Sequence, residues 1–317
     1  MRATILLLTI AFSEATIGVF VKLGKDAIPV YTFNFYGLCF AAAFLAVALP
    51  LLTRESVSLP RDNWRDTLII GAFIAAQISV FNLAMTLAPM ANVVIFWSVA
   101  PFFVFILSAL FLGEPARRAH IPVFLVAMTG LAIARPLQGG HMAGNLIALA
   151  DGLLYAAMIT FMRHEGKEEA DNDVLWFMIA AALFLAPMPA IFGPGAPFAM
   201  EAYPRFGLRL PAILWAAGFG IVSTGVAYLC ISLVLRRVDA NVYSLVDIIT
   251  SPIIVATLGF LIFGEVPART TLAGGALLLA AGAWLTRDMA RHGRRRAAHP
   301  GQAGPRRPLA ATSGDAG

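Results

Sequence analysis

Ala91-Asn92-Val93 opens an apolar run that passes Pro101 and stops at Phe111-Leu112-Gly113-Glu114-Pro115. Ala240-Asn241-Val242 opens another, which passes Pro252 and stops at Ile262-Phe263-Gly264-Glu265-Val266-Pro267. Pro to Glu is 13 residues in both runs. Pro101, Gly113 and Glu114 each recur 151 positions later, while the two Ala-Asn-Val openings are 149 apart. One such match would be weak; two, at the ends of comparable runs, mark an internal duplication. Each run is long enough to cross a bilayer core, which takes about 20 apolar residues. A proline inside such a helix removes one backbone hydrogen bond and lets the helix bend, so Pro101 and Pro252 are candidate kinks. Gly-Glu ends each span, and Glu114 and Glu265 are expected at the interface, in contact with water.

The rest of the chain has the same character. Of 317 residues, 59% are hydrophobic and 13% charged, with a mean hydropathy of +0.80. An ordinary soluble domain carries about 25% charged residues, so a soluble enzyme or a nucleic-acid binder is excluded by surface chemistry alone. Ten segments qualify as spans: about 3–22, 30–52, 67–87, 91–112, 120–135, 143–163, 174–192, 211–234, 240–263 and 270–287. The fold class expected is therefore all-α integral membrane, with ten transmembrane helices. Residues 1–136 form the first five-helix repeat and 143–288 the second. Residues 289–317, rich in Arg, Gly and Ala without apolar periodicity, are expected to be a disordered basic cytoplasmic tail. The Pro- and Gly-rich stretch from Gly193 to Leu210 reads as an irregular linker. The opening run after Arg2 resembles a signal peptide, but it continues through Val21 without a clean cleavage site and is read as a retained first helix. Cys39 and Cys230 both lie in apolar runs, which excludes a disulfide framework or a zinc site.

Five spans per repeat is an odd number, so the two halves must cross the membrane in opposite senses, an arrangement typical of secondary transporters. Orientation follows from the basic residues. With the N-terminus inside, 17 of the 23 Lys and Arg fall on the inner side and 6 on the outer, so both termini are expected to be cytoplasmic and the location a cell (inner) membrane.

The ten spans, the five-plus-five duplication and the Pro … Gly-Glu endings of the fourth and ninth spans resemble the drug/metabolite transporter superfamily, specifically its EamA type. The resemblance covers about residues 1–288. It implies a central cavity lined by spans 1, 3, 4, 6, 8 and 9 and opened alternately to each side, with export commoner than uptake among bacterial members. Those members carry varied substrates, so no single compound is implied.

Charge inside a bilayer is costly, about 2.5–3.5 kcal/mol on insertion scales, and marks function by default. Glu14, Asp151 and Asp247 lie well within spans 1, 6 and 9. Lys22 and Arg163 sit at span ends, where long stems can snorkel to water, so the interior is expected to be net negative. Aligning Lys22 with Arg163 sets Glu14 opposite Tyr155. Relatives often carry an aromatic residue near this place in the first helix. Glu14 departs from that pattern and is the foremost candidate for coupling or binding. Tyr243, Asp247 and Thr250 are spaced i, i+4, i+7 and share a helix face. Gln77, Asn92, Trp97 and Tyr228 complete the candidate lining, with Gln77 and Tyr228 related by the same 151-residue offset. Polar residues of this kind also serve as glue between helices.

The expected function is secondary active transport, in the export direction, of a small polar metabolite such as an amino acid, amine or cationic drug. An acidic cavity suits a cationic or zwitterionic substrate, and a carboxylate that cycles between charged and neutral forms makes protons the candidate coupling ion. The expected partners are that small molecule, the lipid bilayer and protons, with no nucleic acid; the sequence fixes no oligomeric state. No cofactor or metal is expected. The five histidines lie in loops, span ends and the tail, and form no ligand motif. A membrane enzyme acting on lipid would need such a set, and a scaffold or sensor would leave the buried carboxylates without a use. No phosphate-binding loop is present, so transport driven by ATP within this chain is not supported.

Overall fold

The computed structural model describes residues 2–53, 59, 64–113, 120–134, 140–166, 173–203, 208–235 and 240–298. These are almost entirely helical. The first half contains α1 (Arg2–Ala15), α2 (Ile17–Gly24), α3 (Val30–Thr53), α4 (Trp64–Leu87), α5 (Met90–Trp97), α6 (Ala100–Phe111) and α7 (Ile121–Ala134). The second half contains α8 (Met142–His164), α9 (Asp173–Leu185), α10 (Met188–Phe192), α11 (Ala212–Gly218), α12 (Ala227–Leu235), α13 (Ala240–Leu258) and α14 (Arg269–Ala298). Among the described residues, seven helical stretches are long and apolar enough to cross a membrane: Thr4–Gly24, Val30–Leu52, Trp64–Leu87, Met90–Phe111, Met142–His164, Asp173–Phe192 and Ala212–Val234. Ile121–Ala134 and Ile249–Phe263 are shorter apolar helices. The chain is thus an all-α, multi-pass membrane protein.

Large apolar side chains such as Leu51, Leu110, Phe111, Leu125 and Leu183 face outward, where a soluble surface would carry charge. Inside, helices approach through glycines. Gly130 of α7 and Gly274 of α14 abut each other's backbones, and Gly220 abuts the backbone of Gly37 of α3. Small residues at such crossings let dispersion contacts form without help from water exclusion, which is the packing rule in lipid.

Several spans are interrupted at depth, two of them with a local cause. α1 and α2 break at Thr16, whose hydroxyl turns back to the Ser13 carbonyl at 2.6 Å and lies 2.8 Å from the Ser223 hydroxyl. α5 and α6 break at Ser98–Val99, just ahead of Pro101. Lacking an N–H, Pro101 gives the carbonyl of Trp97 no helical partner. Between α11 and α12, residues Phe219–Val226 widen into π-helical turns, a distortion common at functional sites. Pro252 behaves differently from Pro101: it sits inside α13, and the irregularity in that span comes later, as a π-helical stretch at Gly259–Phe263.

Two regions differ from expectation. The stretch read as an irregular linker contains an antiparallel ribbon, β1 (Met200–Tyr203) against β2 (Leu208–Pro211), with Met200 opposite Pro211 and Tyr203 opposite Leu208. Its root is anchored by backbone bonds, Ala196 N–H to the Ala27 carbonyl at 2.8 Å and Ile213 N–H to the Pro197 carbonyl at 2.7 Å. Gly195, at φ +70°, is pressed against Ala27 and Ile28 where no side chain would fit. At the other end of the chain, α14 continues to Ala298, ten residues into the segment expected to be disordered tail.

Candidate functional site

Asp151 lies on α8 with no exposed surface. Its Oδ2 accepts a hydrogen bond from the Gln77 side-chain amide of α4 at 3.0 Å; its Oδ1 has no hydrogen-bond partner. Among the described residues no cation pairs with it. The next residue explains how α8 comes so close: a Cβ on Gly152 would stand 3.1 Å from the Trp97 carbonyl, the group that Pro101 leaves without a helical donor. Trp97 makes an edge contact with Tyr155, centroids 5.1 Å apart, and another with Phe81 at 6.2 Å. Tyr155 is one turn beyond Asp151 on the same face of α8. The indole N–H of Trp97, like Asp151 Oδ1, is buried and has no hydrogen-bond partner. Gln77, Trp97, Asp151 and Tyr155 are therefore brought together at a junction of α4, α5 and α8. A buried donor and a buried acceptor are both left over there, and each unsatisfied group costs about 1–3 kcal/mol.

A second carboxylate lies elsewhere. Glu14 of α1 is half-buried and sits within electrostatic reach of Tyr228 at the start of α12. The offset that relates Gln77 to Tyr228 in sequence thus reappears in space: each stands by a carboxylate contributed by the opposite half of the chain. Of the two acidic positions, it is Asp151, not the foremost sequence candidate Glu14, that is fully enclosed.

The remaining candidates are placed less centrally. Asn92 of α5 directs its amide to Asn145 of α8 at 3.5 Å, which spends it between helices. Thr250 donates to the Val246 carbonyl of its own helix at 2.8 Å. The side chains of Tyr243 and Asp247 lie outside the described residues. Two hollows of about 570 and 520 Å³ open on the flanks of the molecule; neither includes Asp151 or Glu14 in its lining.

One charged pair was missed in sequence. Lys22 does not snorkel: its ammonium forms an ion pair with Glu265 and donates to the Ala88 carbonyl at 2.9 Å. Glu265 does not face open water either, because its second oxygen accepts the Met90 backbone N–H at 2.8 Å. The signal available was the Gly-Glu ending itself, since Gly264 at φ +71° ends the π-helical stretch and turns the carboxylate back inward.

A model of the EamA-like transporter family matches residues 1–135 and again residues 142–287. The chain belongs to the EamA-like transporter family. Among curated relatives, the pseudopaline exporter of Pseudomonas aeruginosa is 25% identical over 288 residues, covering 89% of this chain and 95% of the relative. A riboflavin transporter of Rhizobium johnstonii is 26% identical over 276 residues, covering 86% and 85%. A protein named "Probable terminal-alkyne amino-acid exporter" from Streptantibioticus cattleyicolor is 28% identical over 298 residues, covering 89% and 92%. A crystal structure with 20% sequence identity superposes with a TM-score of 0.63 over 92% of this chain and 98% of the other, which supports a shared fold. The relatives of this EamA-family chain that carry a functional name are transporters and exporters.

Proposed function

We propose that this protein is a secondary active exporter of a small zwitterionic or cationic metabolite, working by alternating access between two inverted five-span repeats. The Gln77–Asp151 contact carries the proposal. A carboxyl group enclosed in the membrane interior, bonded on one oxygen and unbonded on the other, is costly. It is explained if a ligand ammonium or a proton occupies the free oxygen during the cycle. Trp97 and Tyr155 supply an aromatic wall beside it, and aromatic faces favour cations. Glu14 with Tyr228 is the corresponding station in the other half. Two carboxylates, one from each half, suit proton exchange, one side releasing what the other takes up.

The proposal includes ten crossings with both termini in the cytoplasm of the inner membrane; the excess of Lys and Arg on the inner side supports that orientation. The export direction is favoured because two of the relatives above are named exporters. Amino acids, primary amines and organic acids should be screened for stabilisation of the purified protein at two pH values. Melting-temperature shifts with amino acids or amines, weakened in Asp151→Asn, are expected; shifts confined to organic acids would overturn the acidic-site reading.

A further inference from the structure

The Lys22–Glu265 pair joins the two halves of the chain at one end of the bundle. Three polar links converge there. The Lys22 ammonium meets the Glu265 carboxylate and the Ala88 carbonyl, and the other carboxylate oxygen takes the Met90 N–H. Ala88 and Met90 flank Pro89, the hinge between α4 and α5. One ion pair therefore ties α2, the α4–α5 corner and the loop after α13 together. Both side chains are nearly dry, at 13% and 16% exposure. Gly259 makes room for the pair, since a Cβ there would stand 3.1 Å from the Glu265 oxygen. The ring of Phe263 lies 5.7 Å from the ammonium.

A cation occupies the related position at the opposite end. Arg163 is the sequence mate of Lys22, and it donates to Ser108 of α6 at 2.9 Å. Ser108 plus the 151-residue offset is Gly259, the residue that makes room at the first end. The two ends are far apart. Gly144, near the start of α8, touches Ala88, and Arg163 lies 19 residues further along that helix, about 28 Å at 1.5 Å per residue.

We propose that Lys22 and Glu265 form the latch that holds their end of the transport path shut, with Arg163 holding the mirror position at the far end. The physics gives a two-state element. Paired, the two charges satisfy each other and exclude water. Parted in place, each would be stranded in a low-dielectric setting, which is strongly unfavourable. Parted with the whole end open, water solvates both. The latch therefore opens together with its end of the bundle or not at all, which is the behaviour alternating access requires. Its meaning for transport rests on the function proposed above, but its test does not.

The experiment is a distance measurement between spin labels at Asp26→Cys and Val266→Cys, both on exposed positions at this end. It uses the full chain in lipid nanodiscs, with Cys39 and Cys230 replaced by Ala. The wild-type pair should give one short distance. Lys22→Met and Glu265→Gln should each add a second, longer-distance population, and the charge swap Lys22→Glu with Glu265→Lys should restore the short one. Single variants with the wild-type distribution, or a swap as open as the singles, would overturn the latch. Circular dichroism and melting are recorded on every variant, and single variants that fail to fold would also overturn it, by making the pair a staple of the fold. Separation of the labels without flux of any tested compound would leave the latch standing and remove the transport reading instead.

Discussion

Lys22–Glu265 and Gln77–Asp151 both place a carboxylate at a contact between the two halves of the chain, and they solve its burial in opposite ways. Glu265 has a full cation, a backbone N–H and a remnant of exposure. Asp151 has one neutral amide, an unbonded oxygen and no exposure at all. A satisfied charge pair is suited to holding helices; a half-satisfied acid is suited to receiving something. The difference separates a joint from a site, though both use the same functional group.

Substitution can break that comparison. The largest effects are expected at the two acids, and Asp151→Asn keeps the shape and the Gln77 contact but removes the acid. Flux in proteoliposomes should fall at least about tenfold, equivalent to roughly 1.4 kcal/mol, with helical content unchanged by circular dichroism. Glu14→Gln should also abolish transport driven by a pH gradient while the protein still reaches the membrane; flux equal to wild type would remove Glu14 from the mechanism. Gln77→Leu sharpens the contrast differently. It strips Asp151 of its one bonded partner, and unfolding in detergent should show a loss of about 1–3 kcal/mol. Gly152→Val should cost a comparable amount, about 1–3 kcal/mol from overpacking, because its side chain would drive α8 away from the Trp97 carbonyl. The smallest effect is expected at Thr250→Val. Its hydroxyl is bonded to its own helix, so stability should change by no more than about 0.5 kcal/mol and flux should remain.

Much of this was legible in the sequence because membrane insertion writes directly into composition. Seven spans among the described residues follow from apolar length, and the break at Ser98–Val99 follows from Pro101. Asp151 and Gln77 stood out as polar residues at depth. What could not be read was who meets whom. Lys22 and Glu265 are 243 positions apart, and at a span end a lysine stem reaches water or protein equally well, so only the folded arrangement decides. Pro252 carries the same sequence signature as Pro101, yet α13 continues through it and distorts later, at Gly259–Phe263. The ribbon at Met200–Pro211 was hidden because its strands are four residues each and its anchors are backbone groups, which leave no side-chain pattern. The order of the two acids also changed: depth along a span favoured Glu14, whereas enclosure by neighbouring helices favours Asp151.

The most direct test is flux of amino acids and primary amines into proteoliposomes, with and without an imposed pH gradient, for the wild type beside Asp151→Asn. The account predicts gradient-driven flux of at least one such compound in the wild type and its loss in the variant. Equal flux in both proteins would contradict it.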